Sequence, residues 1–281
     1  MYLRIGLLCH LIGFTCTAAG AEEAGETYFL KLSHEEESRD SKGSGGSTRG
    51  RDDLVEKIIE ITDDGRIVEY DLPLEPGEER KPLNWQFPAR FLIDAKGEAR
   101  LLNADDLAER NAAWRELAGI EESACGSYYF TWNAFKIECD PQSVLAIVDR
   151  YNLRFGPLEE GLELPYPDTL GAATLRDCTE DSGQITFCAT YNLDPEAVRQ
   201  SRIETDKIVA QIVGEEAARR TAKDRTKEQI EGTLQIRLSI DGDGHVWKRV
   251  VTTDVKTMKE DGEVGTSTSR EELTRTLIEA D

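Results

Sequence analysis

Apolar and polar residues alternate without a break from Thr233 to Ile240. Leu234, Ile236, Leu238 and Ile240 fall on one side, and Thr233, Gln235, Arg237 and Ser239 on the other. A period of two predicts a strand with one buried and one wet face. Asp241-Gly242-Asp243-Gly244 follows, then HVWKRVVTT, so the segment reads as a hairpin. The same design appears twice upstream, as VEKIIEI, Asp63-Asp64-Gly65-Arg66, IVEYDL, and as RFLID, Ala95-Lys96-Gly97, EARLL. Tyr28 to Leu32 reads as a further strand.

Helical spacing is rarer. Asn103 is placed to cap a helix whose apolar residues are Leu107, Trp114, Leu117 and Ala118, with Gly119 ending it in the left-handed position. Asp140-Pro141 opens a second helix carrying Val144, Ile147, Val148 and Tyr151 on one side. Asp194-Pro195 opens a third that runs to about Val213 or Gly214, and residues 215 to 229 read as further polar helix.

Two stretches lack both periods. Residues 34–53, HEEESRDSKGSGGSTRGRDD, are poor in apolar side chains and rich in Gly and Ser, which predicts a flexible loop. Residues 156–168 hold three prolines and suggest a surface connection or a boundary between two lobes. The expected fold is α+β: an antiparallel, hairpin-rich sheet with three or four helices, stapled by disulfides, in one domain spanning 22–281. A sheet curved around its helices would resemble, in architecture alone, the half-barrel carriers that move lipids or lipoproteins between bacterial membranes. No motif of that family is present, and fold does not fix function.

The N-terminus adds a compartment. One positive residue, Arg4, precedes an apolar run from Ile5 to Phe14 and small residues Ala19-Gly20-Ala21, the order of a signal peptide over 1–21. Its loss would leave Cys125, Cys139, Cys178 and Cys188 in a periplasmic or secreted chain with no integral membrane segment. Net charge is −21, and −22 without Arg4, so nucleic acid is disfavoured as a partner.

The cysteines then predict geometry. Pairing Cys125 with Cys139 across a hairpin sets Tyr129 opposite Phe135, Tyr128 opposite Lys136 and Phe130 opposite Ala134. Thr131-Trp132-Asn133 is left as a three-residue loop, and one face carries the bridge, Tyr129, Phe135 and Ile137. Pairing Cys178 with Cys188 sets Leu175 opposite Tyr191 around Ser182-Gly183-Gln184. Spacings of this length suit neither a zinc site nor a redox pair.

Chemical motifs are sparse. No phosphate loop, nucleotide fingerprint or Gly-x-Ser-x-Gly elbow occurs, and no cofactor or metal is implied. His34 and His245 stand apart in the chain, and the Asp241 turn lacks the glycine and acid spacing of a calcium loop. The expectation is an exported, non-enzymatic binding or interaction protein. Its partner would be an apolar small molecule or an envelope protein, with Trp132, Tyr128 and Trp85 as aromatic contacts. The alternative is a carboxylate-dependent hydrolase acting outside the cytoplasm.

Overall fold

The computed structural model describes residues 22–74, 84–94, 97–130, 134–179, 183–214 and 225–278. Residues 1–21, expected from sequence to be a signal peptide, and Trp132 lie outside them. The chain opens with β1 (Thr27–Asp40), β2 (Gly45–Thr62), β3 (Gly65–Asp71), β4 (Ala89–Ile93) and β5 (Ala99–Leu101). An insert follows, with α1 (Ala104–Ala118), β6 (Tyr128–Phe130), β7 (Ala134–Lys136), α2 (Val144–Asp149), β8 (Glu163–Leu164) and β9 (Ala173–Thr174). It closes with β10 (Arg176–Asp177), β11 (Thr186–Asn192), α3 (Pro195–Val213), β12 (Gln229–Ile240), β13 (Val246–Met258) and β14 (Val264–Leu277).

Ten of these strands form one open antiparallel sheet in the order β10-β11-β12-β13-β14-β1-β2-β3-β4-β5. It is two meanders, β1–β5 and β10–β14, joined where the first strand pairs with the last. β1–β14 is the only neighbouring pair in the sheet that is not consecutive within a meander; of the consecutive pairs, β3–β4 and β11–β12 are joined by long connections, the latter containing α3.

Three hairpin turns share one chemistry. The backbone N–H of Asp40, Asp241 and Lys259 donates to the carbonyl of Ser44, His245 and Glu263, and glycine stands third in each three-residue loop. In two of them the leading Asp side chain also accepts backbone N–H bonds: Asp40 from Lys42 and Ser44, Asp241 from Asp243 and His245. Gly244 sits at φ +86°, a conformation that costs a side-chain-bearing residue about 1–2 kcal/mol.

One face of the sheet is apolar and covered. Leu30, Leu54, Val68, Phe91, Ile236 and Leu273 pack against Leu107 of α1, Val144 and Val148 of α2, and Tyr151, Leu153 and Leu175 of the insert. Leu158, Leu162, Leu164 and Tyr166 join the same core, so the proline-rich stretch 156–168 packs on it. The other face is wet, with Arg49, Arg51, Arg237, Lys256 and Arg270 exposed along it.

The loop expected over 34–53 is strand. His34 to Arg39 pair on both sides, with β14 and with β2. Residues 35–39 are exposed throughout because neither face is covered there. Without a covering layer there is no period-two apolar signal to read. The glycines serve close approach: a Cβ on Gly50 would lie 2.1 Å from Cε1 of His34 on the neighbouring strand.

The helices start and stop near the expected places, with three differences. Gly119 and Ile120 donate to the carbonyls of Glu116 and Arg115, the left-handed C-terminal lock. Asn103, however, does not cap α1. Its Oδ1 accepts the N–H of Arg90 and its Nδ2 donates to Pro88 and Asp106, tying the helix start to β4. Leu117 is 64% exposed, so the covered stripe of α1 is narrower than its apolar positions imply. Residues 225–227 form a 3-10 turn and 229 begins β12, where helix was expected. Residues 215–224 are outside the described ones.

Both disulfides are present, with Cα–Cα distances of 5.6 Å for Cys125–Cys139 and 6.0 Å for Cys178–Cys188. Such bonds fit a chain that reaches an oxidising compartment. No helix of the described residues is long and apolar enough to cross a membrane.

Candidate functional site

The covering insert does not reach across the whole apolar face. Beyond it lies an open groove of about 620 Å³. Its floor follows from strand register. Gly232, Val255 and Ser267 lie in one row across β12, β13 and β14, and the row runs on through Ser38 and Gly46. Small side chains keep this floor low. Ile230 and Leu193 supply buried apolar surface at 7% and 5% exposure, while Leu170 is 62% exposed at the rim.

Leu193 follows β11 and donates its N–H to the carbonyl of Gly232. A Cβ on Gly232 would stand 2.6 Å from Leu193 Cδ1 and 2.7 Å from the Asp254 carbonyl oxygen, so glycine is what lets the leucine settle on the floor. Pro195, the first residue of α3, forms part of the wall.

That wall is held by charge more than by apolar packing. α3 has no buried residue. Arg225 donates from Nε and Nη2 to Asp206 at 2.7 and 2.9 Å and from Nη1 to Glu228 at 2.7 Å. Arg202 donates to Glu228, and Arg199 to the carbonyls of Arg225 and Glu228. Glu228 is 3% exposed, so its charge is compensated where water is excluded.

A second feature sits at the opposite end of the covered face. Glu56 of β2 is fully desolvated between Arg154, whose Nη2 lies 3.0 Å from its Oε1, and Arg275, whose Nη2 donates to the same oxygen at 2.7 Å. Tyr70 donates to Glu56 Oε2 at 2.9 Å and accepts from Arg154 Nη1 at 3.0 Å. Glu22 pairs with Arg66 and with Arg275, and the Arg275 guanidinium lies 3.4 Å over the Tyr28 ring. Burial alone would raise the Glu56 carboxyl, but the two guanidiniums and the phenol outweigh it and hold it below its ordinary value. Glu56 is therefore an anion at neutral pH and not a proton donor.

The sequence-derived aromatic contacts separate. Trp85 is 5% exposed and belongs to the core. Tyr128 lies on β6, half-buried, opposite Lys136 as expected. The β6–β7 register matches throughout, but its face of Tyr129 and Phe135 is 43% and 47% exposed. That hairpin stands apart from the ten-stranded sheet and leaves this face largely open; the two rings stack on each other at 6.2 Å, and among its described residues Ile137 at the base is buried.

The second bridge keeps its partners and changes its register. Arg176 stands opposite Cys188, and Cys178 donates its N–H to Thr186, so the strands are offset by two residues and the bond runs diagonally. The groove and the arginine cluster draw on residues far apart in sequence. The legible trace of the cluster was charge at inward positions: Glu56 between Leu54 and Ile58, and Arg66 ahead of Val68 and Tyr70.

Neither the known family models nor the curated proteins match this chain. Among solved structures, a study of lipid–protein interactions in lipovitellin aligns with 92% of this chain and 26% of that one, at 10% identity and a TM-score of 0.43. A loop L8 deletion mutant of OmpT, an outer membrane protein of Vibrio cholerae, aligns with 89% and 100%, at 8% identity and a TM-score of 0.24. The chain thus spans about a quarter of the lipovitellin chain it aligns with.

Proposed function

We propose that this chain is an exported, non-enzymatic binding protein that holds an apolar ligand on the uncovered end of its sheet. The carrying observation is the 620 Å³ groove floored by Ile230, Val255 and Leu193. That volume falls within the ~300–1,000 Å³ usual for ligand sites. The natural twist of a wide sheet would curve the floor around the ligand.

Addition of a partner strand at a sheet edge has less support. The edge strands β5 and β10 have three and two residues, too few backbone groups for a durable ladder. The hydrolase alternative also lacks support at the buried cluster, where guanidiniums hold both Glu22 and Glu56.

Ser267→Trp tests the assignment by filling the floor from a half-buried position. The uncharged apolar dye Nile red should bind the unaltered protein saturably and lose at least about tenfold in affinity with the variant, since a pocket side chain decides whether the site is open. Equal binding by both proteins would move the ligand elsewhere.

A further inference from the structure

A cavity of about 100 Å³ opens beside the buried ion cluster, lined by Arg66, Arg154, Arg275, Glu22, Glu56 and His245. Three guanidiniums face two carboxylates in this lining, one positive charge in excess even with the histidine neutral, and the next carboxylate, Glu26, is engaged by the Tyr28 hydroxyl. The donors are also underused. Arg154 Nε and Nη2 and Arg275 Nε are buried without a hydrogen-bond partner, three donors against one such acceptor, Glu22 Oε2; of these, Arg154 Nη2 is within ion-pair distance of Glu56, and Glu22 Oε2 is ion-paired with Arg66. Buried guanidinium N–H groups left unpaired are costly, and guanidinium has no acceptor with which to pair another donor. What satisfies such a set is an acceptor carrying negative charge.

We propose that this cavity binds a small monovalent oxyanion, a short carboxylate in chemical class. Its two oxygens accept from the planar arginine forks, and its charge brings the cluster to neutrality. Leu153, Phe155 and Val246 form the apolar side of the cavity and leave room for a short chain. In a protein of net charge −21 the site is local: the global field repels anions, and only the inward guanidiniums invert it.

The site is independent of the groove. Ser267 and Arg275 are on the same strand, β14, eight residues apart and so separated by roughly 26 Å. Failure of one assignment leaves the other standing.

The test is calorimetric titration of acetate into the full chain at constant ionic strength, which keeps screening fixed. Arg66 is the informative position because its described partner is Glu22, whereas Arg154 and Arg275 hold Glu56. The folded protein should bind acetate at one saturable site. Arg66→Gln should weaken binding about tenfold or more, the loss expected when a charged donor is removed, while Arg66→Lys restores most of it. Circular dichroism establishes that each variant is folded. No saturable binding to the unaltered protein up to about 10 mM acetate, below any useful affinity, would overturn the proposal, as would unchanged affinity in folded Arg66→Gln.

Discussion

Gly244 and Gly242 share one turn but have different duties. Gly244 is left-handed at φ +86°, whereas a Cβ on Gly242 meets nothing within 4 Å. Gly244→Ala should lose about 1–2 kcal/mol in urea unfolding, and Gly242→Ala should stay within about 0.5 kcal/mol. Glu56 is the stronger residue-scale case. Its folded pKa is depressed by Arg154 and Arg275 against the opposing effect of burial, so its contribution is complete above the unfolded carboxylate value near 4.3. That contribution is lost as pH falls through the depressed folded value. Glu56→Gln should cost about 3–5 kcal/mol at pH 7, because two guanidiniums remain buried without their counter-charge, and should flatten the acid limb of stability. Equal steepness in both proteins would contradict this.

At the scale of elements, the β6–β7 hairpin and α3 draw little on the shared core, to which α3 offers the partly buried Val198. The Cys125–Cys139 bridge closes a separation of 14 residues, and replacing both cysteines with serine should cost about 3 kcal/mol. α3 depends on Arg225 and Glu228. Glu228→Ala should raise amide exchange in α3 well before global unfolding, since the network replaces a buried stripe. Legibility in the sequence followed the same lines. The β6–β7 register was readable because the cysteine pair and the three-residue loop imposed two constraints that agreed. For β10–β11 the cysteines alone left a two-residue ambiguity, because a disulfide can join diagonal neighbours. Strands β1 and β2 were readable only over their covered halves; past His34 the ladder persists without a layer above it, and composition there resembles a loop.

The sheet is two meanders joined by the pairing of the first strand with the last, covered on part of one face by the insert between them. That partial covering creates the groove. It was invisible in the sequence because Gly232, Val255, Ser267 and Leu193 carry no common motif and meet only through register across three strands. The arginine cluster was hidden for a similar reason, being assembled from β2, β3, β14, the residues after α2 and the start of the described chain. The most direct measurement is native mass spectrometry of protein recovered from its own host, in the natural form and as Ser267→Trp. An apolar molecule should travel with the natural protein and be absent from the variant. Bare protein mass for both would contradict the account.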